Sequence, residues 1–326
     1  AIFLLLLPYA TLAQKDRDTS FFRITEINII GNFKTEDRIV LIAADLTINQ
    51  RIPKKDMKLQ FETAENNIQN TDLFNTVDIS NFPINDTLTE LIITVSERWF
   101  FWPIPIVENA DPNFNTWWQR KDFSRLNYGL VLMYNNLGGK AQGIGGLIQL
   151  GYSKRFALLY NIPYASSNGK LGISFYGGYD QQHEVTIGTN NNKRVFYTGL
   201  GGNTKEHWQL QFSLLHRHKI VTTNTISAAF KNVSIVPPVS ALKQDYLGDS
   251  LPNIRYLELS YLFKKDKRNY KHYPLTGYYL DLLIQQHGLG INNNLFLTTF
   301  EGSASKFLKV HNRVYGAIGF KGKFTP

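Results

Sequence analysis

Apolar residues follow two different periods along this chain. Between residues 20 and 98 both two-residue alternation and helical spacing occur. From Trp99 onward the helical spacing disappears and only the alternation of strands continues. The change predicts a small α+β domain at 20–98, followed by an all-β region at 99–326.

The first region predicts the element order β-α-α-β-β. Phe21 to Ile30 is rich in β-branched and aromatic residues, which is typical of a strand. Thr35, followed by two acidic residues, predicts a capped helix start. A second helix follows from one apolar stripe at helical spacing, formed by Met57, Phe61, Ala64 and Ile68. Short strands are predicted at 73–79 and 91–96.

The second region predicts about eleven antiparallel strands. Leu210, Phe212 and Leu214 illustrate the alternation, since Gln and Ser residues separate them. Lengths near ten residues and aromatic residues near strand ends favour a lipid-facing barrel over a soluble β-sandwich. The predicted strands are 99–107, 125–134, 143–152, 155–164, 170–180, 194–200, 207–218, 254–263, 277–286, 294–303 and 313–324.

The connections between these strands alternate in length. The segments 108–124, 181–193 and 219–253 are long, and 135–142, 165–169 and 201–206 are shorter. Outer-membrane barrels place short turns in the periplasm and long loops outside. The alternation predicts that orientation, with the longer segment 264–276 as an exception on the periplasmic side.

The first residues are typical of an exported protein. An apolar stretch ending in Thr11 and Ala13 predicts part of a signal peptide at 1–13, followed by a linker at 14–19. A buried N-terminal strand or helix is the alternative. The chain has 326 residues, a formal net charge of +9 and no cysteine, so disulfide, thiolate-metal and cysteine-nucleophile chemistry are excluded. Export without cysteine indicates a bacterial envelope protein, and the sequence is expected to be incomplete at both ends.

No motif for catalysis or for a cofactor is found. His216 and His218 share one strand face, but no third metal ligand is evident nearby. Gly139-Lys140 lacks the rest of a phosphate-binding loop, and no Gly-x-Ser-x-Gly elbow is present. The basic run at 264–268 is interpreted as a periplasmic turn near anionic headgroups rather than as a nucleic-acid site. We therefore expect no enzyme, no cofactor, no metal and no nucleic-acid partner.

Six residues of the first region carry a resemblance to a known module. Gly31-Asn32, Leu73-Phe74, Val77 and the closing Glu97 resemble the polypeptide-transport-associated (POTRA) domain. The resemblance implies binding of extended polypeptides by strand addition to a sheet edge, and binding of neighbouring POTRA domains or lipoproteins. A generic small α/β domain is the alternative.

Turn motifs extend the resemblance into the second region. They resemble the BamA/TamA superfamily of outer-membrane assembly and translocation proteins, whose barrels have sixteen strands. The residues concerned are Leu137 and Gly138, Pro163 and Tyr164, and Asp266, Arg268, Pro274 and Gly277. The resemblance implies a barrel of which about eleven strands are present, truncated before a Val-Arg-Gly-Phe/Tyr loop.

The same resemblance implies a location and partners. The barrel would lie in the bacterial outer membrane with the POTRA domain in the periplasm. Its partners would be unfolded outer-membrane or secreted polypeptides, periplasmic lipoproteins and outer-membrane lipid. The implied function is insertion or translocation of these polypeptides. The alternative is a passive pore or surface barrel that secretes or anchors a specific partner.

The first predicted barrel strand has an unusual composition. It is assigned as the gate strand of the barrel, formed by Phe101, Trp102, Pro103, Ile104, Pro105, Ile106 and Val107. Proline has no N–H, so Pro103 and Pro105 remove two donors from one edge of this strand. They either weaken the seam between the first and last strands or lie in an extended linker before the barrel.

Overall fold

The computed structural model describes residues 20–110, 117–118, 121–199, 202–248, 251–289 and 295–326. The predicted signal peptide at 1–13 and linker at 14–19 lie outside the described residues. The elements of the N-terminal domain are β1 (Phe21–Ile30), α1 (Asp37–Ala44), β2 (Arg51–Pro53), α2 (Met57–Gln69), β3 (Phe74–Pro83) and β4 (Leu88–Glu97).

The N-terminal domain packs two helices on a four-stranded sheet of order β2-β1-β4-β3. The predicted element order is present, with the three-residue strand β2 added at one edge. Phe61, Ala64 and Ile68 are buried from α2, as their helical spacing predicted. They meet a continuous apolar core that includes Ile24 and Ile93 from the sheet. Burial of this single face holds the domain together.

The start of α1 differs from its prediction. The N-cap residue is Glu36, and no side chain caps the helix. The Thr35 hydroxyl instead donates to Glu97 Oε1 at 2.6 Å. The prediction of a Thr35 cap was wrong because this hydroxyl bonds to the end of β4, 62 residues away, rather than to its own helix.

The second region forms one antiparallel sheet of eleven strands, as predicted in number. Strands that follow one another in sequence are also adjacent in the sheet, except that a separate hairpin is inserted between the fifth and sixth strands. The strands in order are β5 (Phe101–Asn109), β6 (Leu126–Leu137), β7 (Gln142–Gly151), β8 (Lys154–Ile162), β9 (Leu171–Gln182), β12 (Lys205–Lys219), β13 (Thr222–Ile235), β14 (Asn253–Asp266), β15 (Gly277–His287), β16 (Leu297–His311) and β17 (Val314–Phe324).

Two errors in the strand predictions compensate each other. The predicted strand 194–200 is not in the large sheet; β11 (Lys193–Thr198) pairs with β10 (Glu184–Asn190) in a separate hairpin. Conversely, β13 lies in the segment 219–253 that was predicted to be a loop. Ala228 and Asn232 of this strand lie opposite Phe212 and Trp208, on the face where apolar residues would be expected, so the alternation of the strand is weak. Residues 202–204, in the segment predicted as a short turn, lie between the β10–β11 hairpin and β12 and not on the side of the N-terminal domain.

The two faces of the sheet differ in polarity. Leu210, Phe212 and Leu214 are exposed on one face, here called the apolar face. Gln209, Gln211 and Ser213 lie on the opposite, polar face, where their side chains bond to one another. An exposed apolar face of this extent matches a sheet that meets lipid. In the part of the chain that the structure describes, no helix is long and apolar enough to span a bilayer.

The ends of the sheet remote from the N-terminal domain carry extra structure. The β10–β11 hairpin packs against helix α3 (Pro237–Leu242) through a small cluster of Val185, Ile235 and Val239. Arg125 binds Glu184 of the hairpin at 2.8 Å, and Tyr152 donates to the same carboxylate at 2.7 Å. Burial, with the neighbouring Glu184, raises the pKa of Tyr152 to about 12. The hairpin is therefore bonded to the sheet through Arg125 and Tyr152.

Candidate functional site: the β5 edge and the domain junction

Strand β5 lies in the sheet and has one pairing partner, β6, among the described residues. The proposed gate residues Phe101 to Val107 are all within it. Pro103 lies opposite Leu132, and Pro105 lies opposite Leu130. The interpretation of the prolines as part of a linker before the barrel is therefore wrong.

The hydrogen-bond pattern fixes which edge the prolines occupy. The Asn135 N–H donates to Phe100 O, and the Ala110 N–H donates to Arg125 O, each at 2.9 Å. The register between these points has no shift. Since backbone groups alternate in direction along a strand, the even-numbered positions of β5 bond to β6 and the odd-numbered positions face away. Pro103 and Pro105 thus lie on the free edge, where they remove two donors.

The side chains of β5 also alternate. Val107 projects on the apolar face beside Tyr128. Trp102 and Ile104 project on the opposite face, yet they remain 43% and 46% exposed. Neighbouring strands add Val131, Met133 and Leu147 to that same face. The polar face therefore becomes apolar next to the free edge, so a strand added there meets apolar side chains on both of its faces.

The N-terminal domain docks on the sheet through three turns, of which the first is 138–141. The Glu36 N–H donates to Gly139 O at 2.9 Å. Asn136 Nδ2 donates to the Thr35 hydroxyl at 2.8 Å in a buried bond. Gly139 has φ +75°, and a Cβ there would lie 2.1 Å from Lys34 O. The motif residue Leu137 ends β6 and the motif residue Gly138 begins this turn, while glycine at 139 permits the close approach of the two backbones.

The second docking turn, 163–170, is held by one arginine. Arg38 from α1 donates to the carbonyls of Tyr164, Ser166 and Ser167 at 3.1 to 3.3 Å. The ring of Tyr164, a motif residue, packs on the core of the domain. Burial raises the pKa of its hydroxyl. Its neighbour Pro163 accepts a bond from Arg217 at 3.1 Å, which ties the turn to β12.

The third docking turn, 267–276, meets the end of α2. Lys271 donates from its backbone to Asn70 Oδ1 and from Nζ to Asn70 O, at 2.9 and 2.6 Å. His272 Nε2 lies 2.7 Å from Asp72 Oδ1. Burial lowers the pKa of Lys271, because the charged ammonium loses contact with water. These contacts hold the end of α2 against the third docking turn of the sheet.

The motif residues of this third turn shape its backbone. Arg268 donates to both carboxylate oxygens of Asp266, at 2.8 and 2.7 Å. Gly277 has φ +102°, and a Cβ there would lie 2.0 Å from Lys267 O. Pro274 lies in the same turn, three residues before β15 begins. Asp266, Arg268 and Gly277 thus shape the turn from which Lys271 and His272 contact the N-terminal domain.

The motif residues of the N-terminal domain also organise the junction or the core. Glu97 accepts from the backbone N–H groups of Lys34 and Thr35 at 3.0 and 2.7 Å, which holds the segment that contacts Gly139. Gly31, at φ +97°, allows close approach to Val95 O. Asn32 donates to Thr35 O at 2.9 Å. The remaining three, Leu73, Phe74 and Val77, pack in or against the domain core.

Sequence reasoning did not identify Arg38, Asn70 or Lys271 as junction residues. Each is an ordinary polar residue on a helix or turn, and only its partner across the junction gives it a role. His216 and His218 lie near the domain end of β12, and no group of three or more His, Asp or Glu residues in the described segments is arranged to hold a metal.

Together the exposed apolar face, the polar opposite face and the docked α+β domain define the class: an antiparallel sheet of the kind that forms part of a β-barrel, with an N-terminal α+β domain. No protein-family model and no curated protein matches the chain. Among solved structures, the chain is similar to CdiB from Escherichia coli, with a TM-score of 0.53 and 11% identity over 94% of this chain and 54% of that one.

Two further structures are similar at lower scores. BamA from Haemophilus ducreyi, lacking POTRA domains 1–3, gives a TM-score of 0.48 with 13% identity over 93% of this chain and 55% of that one. CdiB from Acinetobacter baumannii gives 0.47 with 12% identity over 94% and 53%. The chain spans about half the length of these structures. At such identities the likeness concerns the fold.

Proposed function

We propose that this chain is part of an outer-membrane barrel of the BamA/TamA kind that inserts or translocates unfolded polypeptide. The N-terminal domain acts as a POTRA domain in the periplasm and receives clients by strand addition. The β5 edge then acts as a gate to which a client strand is transferred. No catalytic group is needed, because folding of the client supplies the driving force.

The observation that carries the proposal is the free edge of β5. Pro103 and Pro105 present carbonyls to that edge but no N–H groups. A strand paired there has two acceptors without donors opposite, so the pairing is weaker than a regular ladder. A weak seam suits a strand that must be exchanged. Exposed Trp102 and Ile104 beside it suit an apolar client strand.

The proposal is tested by reconstituting the full-length protein into lipid vesicles and adding a urea-denatured outer-membrane protein as client. Client folding is monitored by the resistance of the folded client to unfolding in detergent gels. We expect it to be faster in vesicles that contain the protein than in empty vesicles. Equal folding rates in loaded and empty vesicles would contradict the proposal.

The second candidate is a passive pore, which the polar face of Gln209, Gln211 and Ser213 favours. Such a barrel would conduct ions steadily in planar bilayers and would not accelerate client folding. Measuring conductance and client folding on the same preparation separates the two functions.

A further inference from the structure

Strand β3 forms one edge of the sheet in the N-terminal domain, with β4 as its pairing partner among the described residues. The Ile84 N–H donates to Leu88 O at 2.9 Å, in register with the whole β3–β4 pair from Val77 onward. Even-numbered positions of β3 therefore bond to β4, and odd-numbered positions face outward. The outward residues are Val77, Ile79, Asn81 and Pro83.

Two side chains of α2 reach this edge. Glu65 Oε1 accepts the outward N–H of Ile79 at 2.9 Å. Gln69 Nε2 donates to Asn75 O at 2.7 Å. Glu65 and Gln69 are four residues apart and so lie on one helix face. One covers a donor and the other covers an acceptor, as a neighbouring strand would. We call this pair the α2 clasp.

The opposite edge of the domain sheet offers much less. Strand β2 has three residues, and the Ile24 N–H bonds to Gln50 O in register with the β1–β2 pair. Only Arg51 and Pro53 face outward there, and Pro53 has no N–H. A strand that adds to this domain therefore gains most of its hydrogen bonds at β3.

The surroundings of the β3 edge are acidic. Residues 59–97 contain seven Asp and Glu residues and no Lys, Arg or His, although the whole chain carries +9. Three of the seven are committed to other contacts: Glu97 holds the segment before α1, Asp72 bonds to the third docking turn, and Glu62 pairs with Lys58. Glu65 and Asp78 remain beside the edge, and Glu65 becomes unpaired when an incoming strand takes over the Ile79 N–H.

We propose that the β3 edge binds an extended polypeptide strand carrying basic side chains, and that the α2 clasp sets the threshold and the charge preference for this binding. This rests on the proposed function, of which it names the client chemistry. The incoming strand replaces Glu65 on Ile79, and the released carboxylate then pairs with a Lys or Arg of the client.

The test uses the absence of cysteine in the chain. Asn81→Cys in the full-length protein provides a thiol at the edge for disulfide trapping, the single one within residues 1–326. The probes are three ten-residue Thr/Val peptides with one cysteine each, carrying two Lys, two Glu or no charge. The Lys peptide is expected to be trapped several-fold more than the neutral one, and the Glu peptide least. The preference should weaken with salt.

Two substitutions of Glu65 separate its roles. Glu65→Gln keeps an acceptor for Ile79, so trapping of the neutral peptide should stay unchanged while the preference for Lys falls. Glu65→Ala uncovers the edge, so trapping of the neutral peptide should rise by about ten-fold, the weight of one hydrogen bond to a charged acceptor. Glu62→Ala is the matched control, since Glu62 pairs with Lys58 on the same helix.

Equal trapping of all three peptides, or no change in either Glu65 variant, would overturn the inference while leaving strand capture intact. No trapping of any peptide, in any variant, would also overturn it. The vesicle folding experiment decides the proposed function separately, because it does not depend on the charge of the client.

Discussion

Two sheet edges in the described part of the molecule, those of β5 and β3, are blunted by different devices. At β5, Pro103 and Pro105 remove donors permanently, because the ring replaces the N–H. At β3, Glu65 and Gln69 cover a donor and an acceptor with side chains that can move away. Exposed edges invite unwanted pairing, so proteins protect them. The protection by proline at β5 is fixed and weakens pairing with any partner strand. The protection by side chains at β3 is reversible and can select among partner strands.

The comparison assumes that the docking turns hold the two edges in a fixed relation. Gly139→Val should disrupt docking of the N-terminal domain on the sheet, and it is expected to have the largest effect of the substitutions proposed. Its Cβ would meet Lys34 O at 2.1 Å, and φ +75° is strained for a β-branched residue. We expect a loss of about 3 kcal/mol in docking of the domain. Distances between spin labels on the domain and on the sheet should broaden, while Gly138→Val, where a Cβ has open space, should change them less.

Restoring the donors at β5 tests the fixed device. Pro103→Val with Pro105→Val should strengthen pairing at this edge by about 2 kcal/mol, since each net hydrogen bond contributes 0.5–1.5 kcal/mol. Disulfide trapping of a strand at this edge should persist longer, and client folding in vesicles should slow. Ile104→Val with Ile106→Val is the matched control, because these positions already bond to β6. Identical behaviour of the two double variants would contradict a role for the prolines.

Hydrogen exchange tests the reversible device with the smallest expected effect. The outward amide of Ile79 should exchange more slowly than those of Val77 and Asn81, because Glu65 holds it. Glu65→Ala should remove that protection, by about ten-fold for a bond to a charged acceptor. An Ile79 amide that exchanges equally fast in both proteins would show that the α2 clasp is not maintained in solution.

The alternation of apolar residues predicted most of the large sheet because one face of the sheet carries exposed apolar side chains. Strands such as β12 repeat Leu and Phe at every second position. The same rule missed β13, whose positions on the apolar face include Ala228 and Asn232. It also placed residues 194–200 in the large sheet, because β11 alternates like a strand of that sheet although it pairs with β10. Periodicity identifies a strand but not the sheet to which it belongs.

The free edge at β5 was only half predictable. The sequence indicates that Pro103 and Pro105, two residues apart, remove donors from one edge, but not which neighbour that edge faces. The Phe100–Asn135 and Ala110–Arg125 bonds supply the missing parity. The α2 clasp left no signal in the sequence, since Glu65 and Gln69 read as ordinary exposed helix residues until β3 is placed beside them.

Trapping a client strand at β5 tests the central claim most directly. Val107→Cys introduces the single cysteine within residues 1–326, at a position that is 78% exposed and whose backbone faces the free edge. A client carrying single cysteines along its terminal strand is added during folding in vesicles. The account predicts a disulfide in one register only, and none at Ser305→Cys on the interior strand β16. Equal trapping at both positions, or none at Val107→Cys while the client folds normally, would contradict a gate at this edge.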